Sequence, residues 1–235
     1  MHRPPLPPAK KGTAERYKEF KVATRYDQER KHRYVRATFK DRATAGKLLA
    51  RGAGELRLRQ AAEKVAISDG ADWIWIQVDR CVPYVDGKVL DFYHLSEHVH
   101  AARRAVFGEE EAAGKDWAGQ VLHVARHEGY EPFWSMLSEQ RSQVRRSKLK
   151  CKAMDRLMHY VAERRELLDY PRCERMGWDV GSGSTESMCG VMTRRLKMRG
   201  MRWDRDNAEA MMALETLEQM ESWSAWLRWR AASMN

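Results

Sequence analysis

Apolar and polar positions alternate at Phe20, Val22, Thr24 and Tyr26, and again through Tyr34, Val35, Ala37 and Phe39. A two-residue period suits half-buried strands, so 18–26 and 33–39 read as strands, and the polar stretch 27–32 between them predicts an antiparallel hairpin. Asp41 stands where a helix cap belongs, ahead of a helix through Leu48, Leu49, Leu56 and Leu58 to about Lys64, broken near Gly52 and Gly54. The run Val65-Ala66-Ile67 then stops at Ser68-Asp69-Gly70, a short buried strand ending in a carboxylate. Residues 71–78 read as helix, and Val89-Leu90-Asp91-Phe92-Tyr93 as a further strand with an acid among apolar residues.

From His94 to Tyr170 the period lengthens to three and four residues, with few glycines and a single proline, Pro132, so the whole stretch is expected to be helical. A glycine-rich loop at 177–183 precedes a helix over about 185–199. A last helix over about 207–231 carries Met211, Leu214, Leu217, Met220, Trp223 and Leu227 on one stripe. The order predicts an α/β fold in which an all-helical segment interrupts the core. The expected organisation is a proline-rich flexible lead-in at 1–14, the first part of the core at 15–93, a helical insertion at 94–176, and closing helices at 177–235.

Charge changes the picture more than length does. The 235 residues carry 43 Lys and Arg against 33 Asp and Glu, a formal net charge of +10, which points to a polyanionic partner. The stretch 141–165 alone holds nine Lys and Arg against Asp155 and Glu163. No apolar run is long enough to span a bilayer, and 1–12 lacks the apolar stretch of a signal peptide, so no membrane partner is expected. Cys81, Cys151, Cys173 and Cys189 are scattered without a Cys-x-x-Cys pair, which fits a reducing cytoplasm better than a disulfide framework or a structural zinc site.

Two carboxylates sit where metal chemistry would want them. Asp69 closes a strand, held rigidly at a sheet end, and magnesium takes one or two carboxylates while keeping positions for water and phosphate oxygens. The plain alternative is an Asp-Gly turn. Glu186 follows Gly181-Ser182-Gly183-Ser184-Thr185; with Ser184 as N-cap it falls in the first helical turn, where the helix dipole favours an acid whatever its role. The loop has no lysine of the phosphate-binding kind. At helical spacing Glu186, Gly190, Thr193 and Lys197 share a face with Arg194 at its margin, and Arg195, Arg199 and Arg202 add charge, which suits a metal site beside a phosphate backbone or a solvated basic face.

Four segments in this order, Asp69-Gly70-Ala71-Asp72-Trp73-Ile74-Trp75, Asp91-Phe92-Tyr93-His94-Leu95-Ser96-Glu97-His98, Gly181-Ser182-Gly183-Ser184-Thr185-Glu186-Ser187 and Arg195-Leu196-Lys197-Met198-Arg199-Gly200-Met201-Arg202-Trp203, resemble bacterial insertion-sequence transposases of the DDE type, distantly similar to the Mutator-like group. The resemblance spans about 15–230. It implies an RNase H-like mixed sheet with a long helical insertion, and hydrolytic nicking followed by strand transfer at the ends of a mobile element. It implies Mg2+ or Mn2+, two ions in a complete site, with DNA as partner, a homo-oligomer and a cytoplasmic, nucleoid-associated setting. Asp69 would be the second catalytic aspartate and Glu186 the closing glutamate, both metal ligands. Asp91 and His94 match the supporting Asp-x-x-His element, and Thr193, Arg194, Arg195, Lys197, Arg199 and Arg202 would contact DNA.

The chain departs from that pattern in two places. The family's first aspartate lies on a strand preceding the segment matched by 17–22, and 1–16 contains none, so a truncated copy is expected. Gly190 stands where the family has a lysine, and a glycine inside a helix costs about 0.5–1 kcal/mol relative to alanine. Two rival readings follow from the residues: a DNA-binding remnant or regulator of transposition without catalysis, and a zinc peptidase built on His94-Leu95-Ser96-Glu97-His98, with Glu97 as base and Glu174 or another downstream acid as third ligand. Trp73, Trp75 and Trp178 are expected to pack, as are Trp223, Trp226 and Trp229, of which 223 and 226 could join two copies. His123, His127 and His159 are expected to have no ligand-like partners.

Overall fold

The computed structural model describes residues 19–29, 33–220 and 223–232; the lead-in at 1–14 lies outside them. The chain is mixed α/β and mostly helical, 65%, with two small sheets. In chain order come β1 (Lys21–Tyr26), β2 (Arg33–Thr38), α1 (Arg42–Glu55), β3 (Val65–Ser68), α2 (Asp72–Cys81) and β4 (Gly87–Leu90). Then follow α3 (Phe92–Phe107), α4 (Ala112–His127), α5 (Tyr130–Gln143), α6 (Lys148–Ala162) and α7 (Tyr170–Met176). The last are α8 (Gly183–Leu196), α9 (Arg205–Glu218) and α10 (Trp223–Ala232). Two compact units divide this chain: Met1–Ala45 with Met188–Asn235, and Gly46–Ser187.

In the first unit the expected hairpin forms, β1 antiparallel to β2 with Lys21 opposite Thr38 and Tyr26 opposite Arg33. Ala37 packs with Met192, Leu196, Ala208 and Met212, and Phe20, Val22, Phe39 and Met211 close around them. Glu209 of α9 fastens the end of β2, accepting the Thr38 hydroxyl at 2.6 Å and the Phe39 amide at 2.8 Å. The single helix expected over 207–231 is two. Asp204 caps α9 by accepting the Asn207 amide, α9 ends at Glu218, and Leu227 of α10 is exposed rather than on a buried stripe. Trp223 and Trp226 of α10 stack on each other at 5.3 Å.

The second unit is built on a β3-α2-β4 crossover, with β3 and β4 parallel from Val65 opposite Gly87 to Ser68 opposite Leu90. Both faces of this small sheet are covered, as parallel strands require. Val65 and Ile67 turn to the main core, where Leu90, Leu95, Val99, Val121, Phe133, Leu137, Met154 and Val161 of β4 and α3–α6 are buried. Ala66 turns to a smaller cluster with Ala53, Val78 and Val82. The expected helical segment is present as α3–α7, in which α3 to α6 pack as successive neighbours joined by short links.

One edge of the sheet is open. The Lys64 and Ser68 carbonyls accept from the Gly87 and Asp91 amides of the β4 segment. Main-chain groups alternate sides along a strand, so those of Val65 and Ile67 point away from β4. Among the described residues nothing pairs with them. On the outer edge of β4 the buried Tyr170 hydroxyl donates to the Leu90 carbonyl at 3.0 Å.

Three boundaries differ from the pattern. The helix after Asp41 is capped as expected, Thr44 N to Asp41 Oδ1 at 2.7 Å, and runs through Gly52 and Gly54, but ends at Glu55 because Arg57 takes a left-handed φ of 48°. The strand expected over 89–93 is Gly87–Leu90, and Phe92 and Tyr93 are already helical. The helix expected over 185–199 spans Gly183–Leu196, leaving Lys197, Arg199 and Arg202 beyond its end.

Leu137 has no exposed surface and sits in the main core. Leu137→Ala should lower the unfolding free energy by about 2–5 kcal/mol, read as a reduced urea midpoint with an unchanged slope.

Candidate functional site

Asp69 and Asp91 leave the same end of the sheet, each the residue after the last paired position of its strand, and the Asp91 amide donates to the Ser68 carbonyl at 2.8 Å. The carboxyl end of parallel strands is where open α/β sheets place ligands. From there the two side chains part. Asp91 is 1% exposed. Its Oδ1 accepts the Tyr93 and His94 amides at 2.7 and 3.0 Å, capping α3, and its Oδ2 accepts the Ser182 amide at 2.6 Å. Asp69 is exposed; its Oδ1 accepts the Ala71 amide at 3.1 Å and the Ser68 hydroxyl at 3.2 Å, and its Oδ2 has no partner among the described residues.

The loop that leads into the helix of Glu186 is tied to this end of the sheet through Asp91. The Phe92 amide donates to the Val180 carbonyl at 2.9 Å, two residues before the Asp91–Ser182 bond, so the 180–182 loop is stitched to the strand-to-helix junction. The Ser182 carbonyl then accepts the Thr185 and Glu186 amides. Helix α8 accordingly starts at Gly183, and Ser182 takes the place expected of Ser184. Glu186 remains in the first turn, exposed, with no partner among the described residues.

Helix α6 holds the Asp69 turn from the other side. Arg164, just past its end, donates from Nε to the Gly70 carbonyl at 3.1 Å and lies 3.8 Å from Asp72, and the Tyr160 hydroxyl reaches the Asp69 carbonyl at 3.4 Å. Gly70 has φ +84° and a Cβ there would meet Leu90 Cδ1 at 2.6 Å, so the turn requires glycine. Burial pushes the Tyr160 phenol up to about 12, with repulsion from Asp69, Asp91 and Glu97 adding to it and Arg164 opposing, so it stays a donor. Sequence patterns carry no trace of either side chain's role, because both targets are main-chain carbonyls.

His94 starts α3 beside Asp91, with Nδ1 3.2 Å from Glu97 Oε2. His98 does not complete a zinc set with it: its ring stacks on Tyr160 at 3.7 Å. Glu174 pairs instead with His127 at 3.1 Å, and His159 with Glu163 at 3.3 Å, so two of the three histidines expected to lack partners have carboxylate neighbours. Among the described residues no group of three or more His, Cys, Asp or Glu is placed to hold a metal ion. A cavity of about 590 Å³ opens at the opposite end of β4 from Asp91, between Lys88, Tyr130, Arg165, Arg172 and Trp178.

In the other unit the expected DNA contacts fall into two sorts. Arg195 lies 3.8 Å from Glu215 and Lys197 sits 5.5 Å over the Phe20 ring. Thr193, Arg194, Arg199 and Arg202 are exposed, with no side-chain partner among the described residues.

Two outcomes separate the structural carboxylate from the free one. Asp91→Asn should cost about 1–3 kcal/mol, the penalty of an ill-matched buried hydrogen bond, and should speed hydrogen exchange at the Ser182 amide. Asp69→Asn should change stability by no more than about 0.5 kcal/mol. Burial first, then the nearby His94 and Arg164 charges, lower the His98 pKa below 6.5. The folded state therefore binds that proton less readily than the unfolded chain, and stability is lost as pH falls from about 6.5 through the lowered folded value. His98→Phe should keep the Tyr160 stack and shrink the loss between urea melts at pH 7.5 and pH 5. No protein-family model, curated protein or solved structure matches this chain.

Proposed function

We propose that the chain is a DDE-type transposase domain of RNase H-like descent, acting on DNA with a divalent metal, in which Asp69 and Glu186 are metal ligands. The reading rests on one observation above all: the carboxyl ends of two parallel strands deliver Asp69 and Asp91, and Asp91 binds the loop that begins the helix of Glu186. The order of these carboxylates is the one the resemblance requires. Asp91 spends both oxygens on main-chain amides, which favours the supporting part that the Asp-x-x-His resemblance implies for it.

Two exposed carboxylates with unused oxygens are the kind of donor magnesium takes. Asp69 keeps one oxygen free among the described residues and Glu186 both, and Mg2+ is ordinarily held by one or two carboxylates plus water and phosphate oxygens. Bound there, it would supply Lewis-acid activation of a phosphodiester and of an attacking water. The chain's own part is positional: Arg164 and Tyr160 fix the Asp69 turn, Asp91 fixes the Glu186 turn, and the exposed cations Arg194, Arg199 and Arg202 offer phosphate contacts. The first aspartate of the pattern belongs on a further strand, and the edge of β3 that is unpaired among the described residues lies beside Asp69.

The absence of a third ligand among the described residues favours, as a second reading, a DNA-binding remnant that occupies element ends without cutting them. Metal binding decides between the two. Titrated with Mn2+ and followed by electron paramagnetic resonance, the chain should bind manganese, and both Asp69→Asn and Glu186→Gln should abolish it while circular dichroism stays unchanged. Manganese binding that survives either substitution, or is absent in the parent protein, sinks the metal site and leaves the remnant.

A further inference from the structure

Lys148, Lys152 and Arg156 follow one another at four-residue intervals along α6, with Arg145 and Arg146 in the turn before it and Lys150 in its first turn; all six are exposed. None of their side chains has an ion pair or hydrogen bond among the described residues, whereas Asp155 is taken by Arg141 and Glu163 by His159 and Arg164. A merely solvated helix face alternates its signs at this spacing. Here like charges repeat, and they crowd the helix start, where the macrodipole favours anions and where α6 has no acid in its first turn. The arrangement works against the helix unless an anionic partner relieves it.

The pattern suits a phosphate backbone better than a bilayer surface. The apolar face of α6 is already spent on the core, with Met154, Leu157 and Val161 at 0–2% exposure, so nothing is left to enter a membrane except Leu149. At 1.5 Å per residue, three cations at this spacing span about 12 Å, the reach of several consecutive phosphates at about 3.4 Å of axis per nucleotide. One turn beyond Arg156, the same helix carries Tyr160, and just past its end Arg164; these two hold the Asp69–Gly70 main chain. We propose that the amino-terminal half of α6, with the turn before it, grips duplex DNA and that the helix sets the distance from that grip to Asp69. This rests on the reading of the chain as a DNA-acting domain and adds the surface that holds the substrate.

The test is fluorescence anisotropy of the full chain with a 30-base-pair duplex over a series of salt concentrations. The parent protein should bind with a steep salt dependence. Lys148→Gln/Lys152→Gln/Arg156→Gln should weaken binding and flatten the log–log slope by about 2–3, at about 0.9 for each phosphate no longer neutralised. Its thermal midpoint should not fall, since like-charge repulsion is relieved, and Lys148→Arg/Lys152→Arg should retain binding. Slopes that match between parent and triple variant overturn the proposal, as does binding to phosphatidylserine vesicles in place of DNA. A parent protein that ignores DNA at low salt overturns it too. The manganese titration is independent of these results, so failure of the α6 grip and failure of the metal-site reading are told apart.

Discussion

The Asp91 carboxylate, buried with three amide donors, is the interaction on which the site depends. A buried carboxylate is costly unless every lone pair in reach finds a donor, and here one side chain ends a strand, starts a helix and captures a loop from 91 positions away. Each of those tasks could be done by a local cap alone. Doing all three with a single group couples them: the strand end, the first turn of α3 and the start of α8 share one anchor, beside the main-chain bond from Phe92 to Val180. Glu186 owes its place to this bond rather than to any contact of its own.

Such a clasp explains why the carboxylates divide their labour. Asp91 is shut off from solvent and committed to structure, while Asp69 and Glu186 stay exposed with oxygens to spare, a state that water makes inexpensive. Their turns are nonetheless rigid, one tied by Arg164 to a main-chain carbonyl and the other by Ser182. Free acceptors on fixed backbones are what the proposed cation would need, since folding would then have ordered its ligands in advance. The helical segment contributes through α6, which packs on α3 and reaches the Asp69 turn with two side chains.

Local chemistry was readable in the sequence wherever it was decided locally. Alternation at Phe20–Tyr26 marked the hairpin, Asp41 marked its helix, the Val65–Ile67 run marked β3, and the glycine-serine loop put Glu186 in a first turn. Where a distant partner decides, the pattern misleads. Val89-Leu90-Asp91-Phe92-Tyr93 reads as a strand because four of its residues are apolar, yet the Asp91 carboxylate caps a helix that begins at Phe92, and one of the three amides that hold this carboxylate in place comes from Ser182. The same distance hid Tyr160 and Arg164. Basic residues posed a different difficulty: sequence shows which positions are charged, but only packing shows that Arg141 is matched with Asp155 while Lys148, Lys152 and Arg156 have no partner among the described residues.

The two-stranded sheet carries the remaining argument. Parallel pairs are seldom left at two strands, because an exposed edge wastes main-chain donors and acceptors that a neighbour would satisfy. In this unit the faces of β3 are covered, and among the described residues the main-chain groups of Val65 and Ile67 have no partner, whereas the Leu90 carbonyl on the far side of β4 is taken by Tyr170. A strand laid there would place its own side chains about 5 Å from those of β3, and the position level with Asp69 would sit at the same carboxyl end. On the metal-site reading proposed above, a carboxylate at that position would be a further ligand beside Asp69.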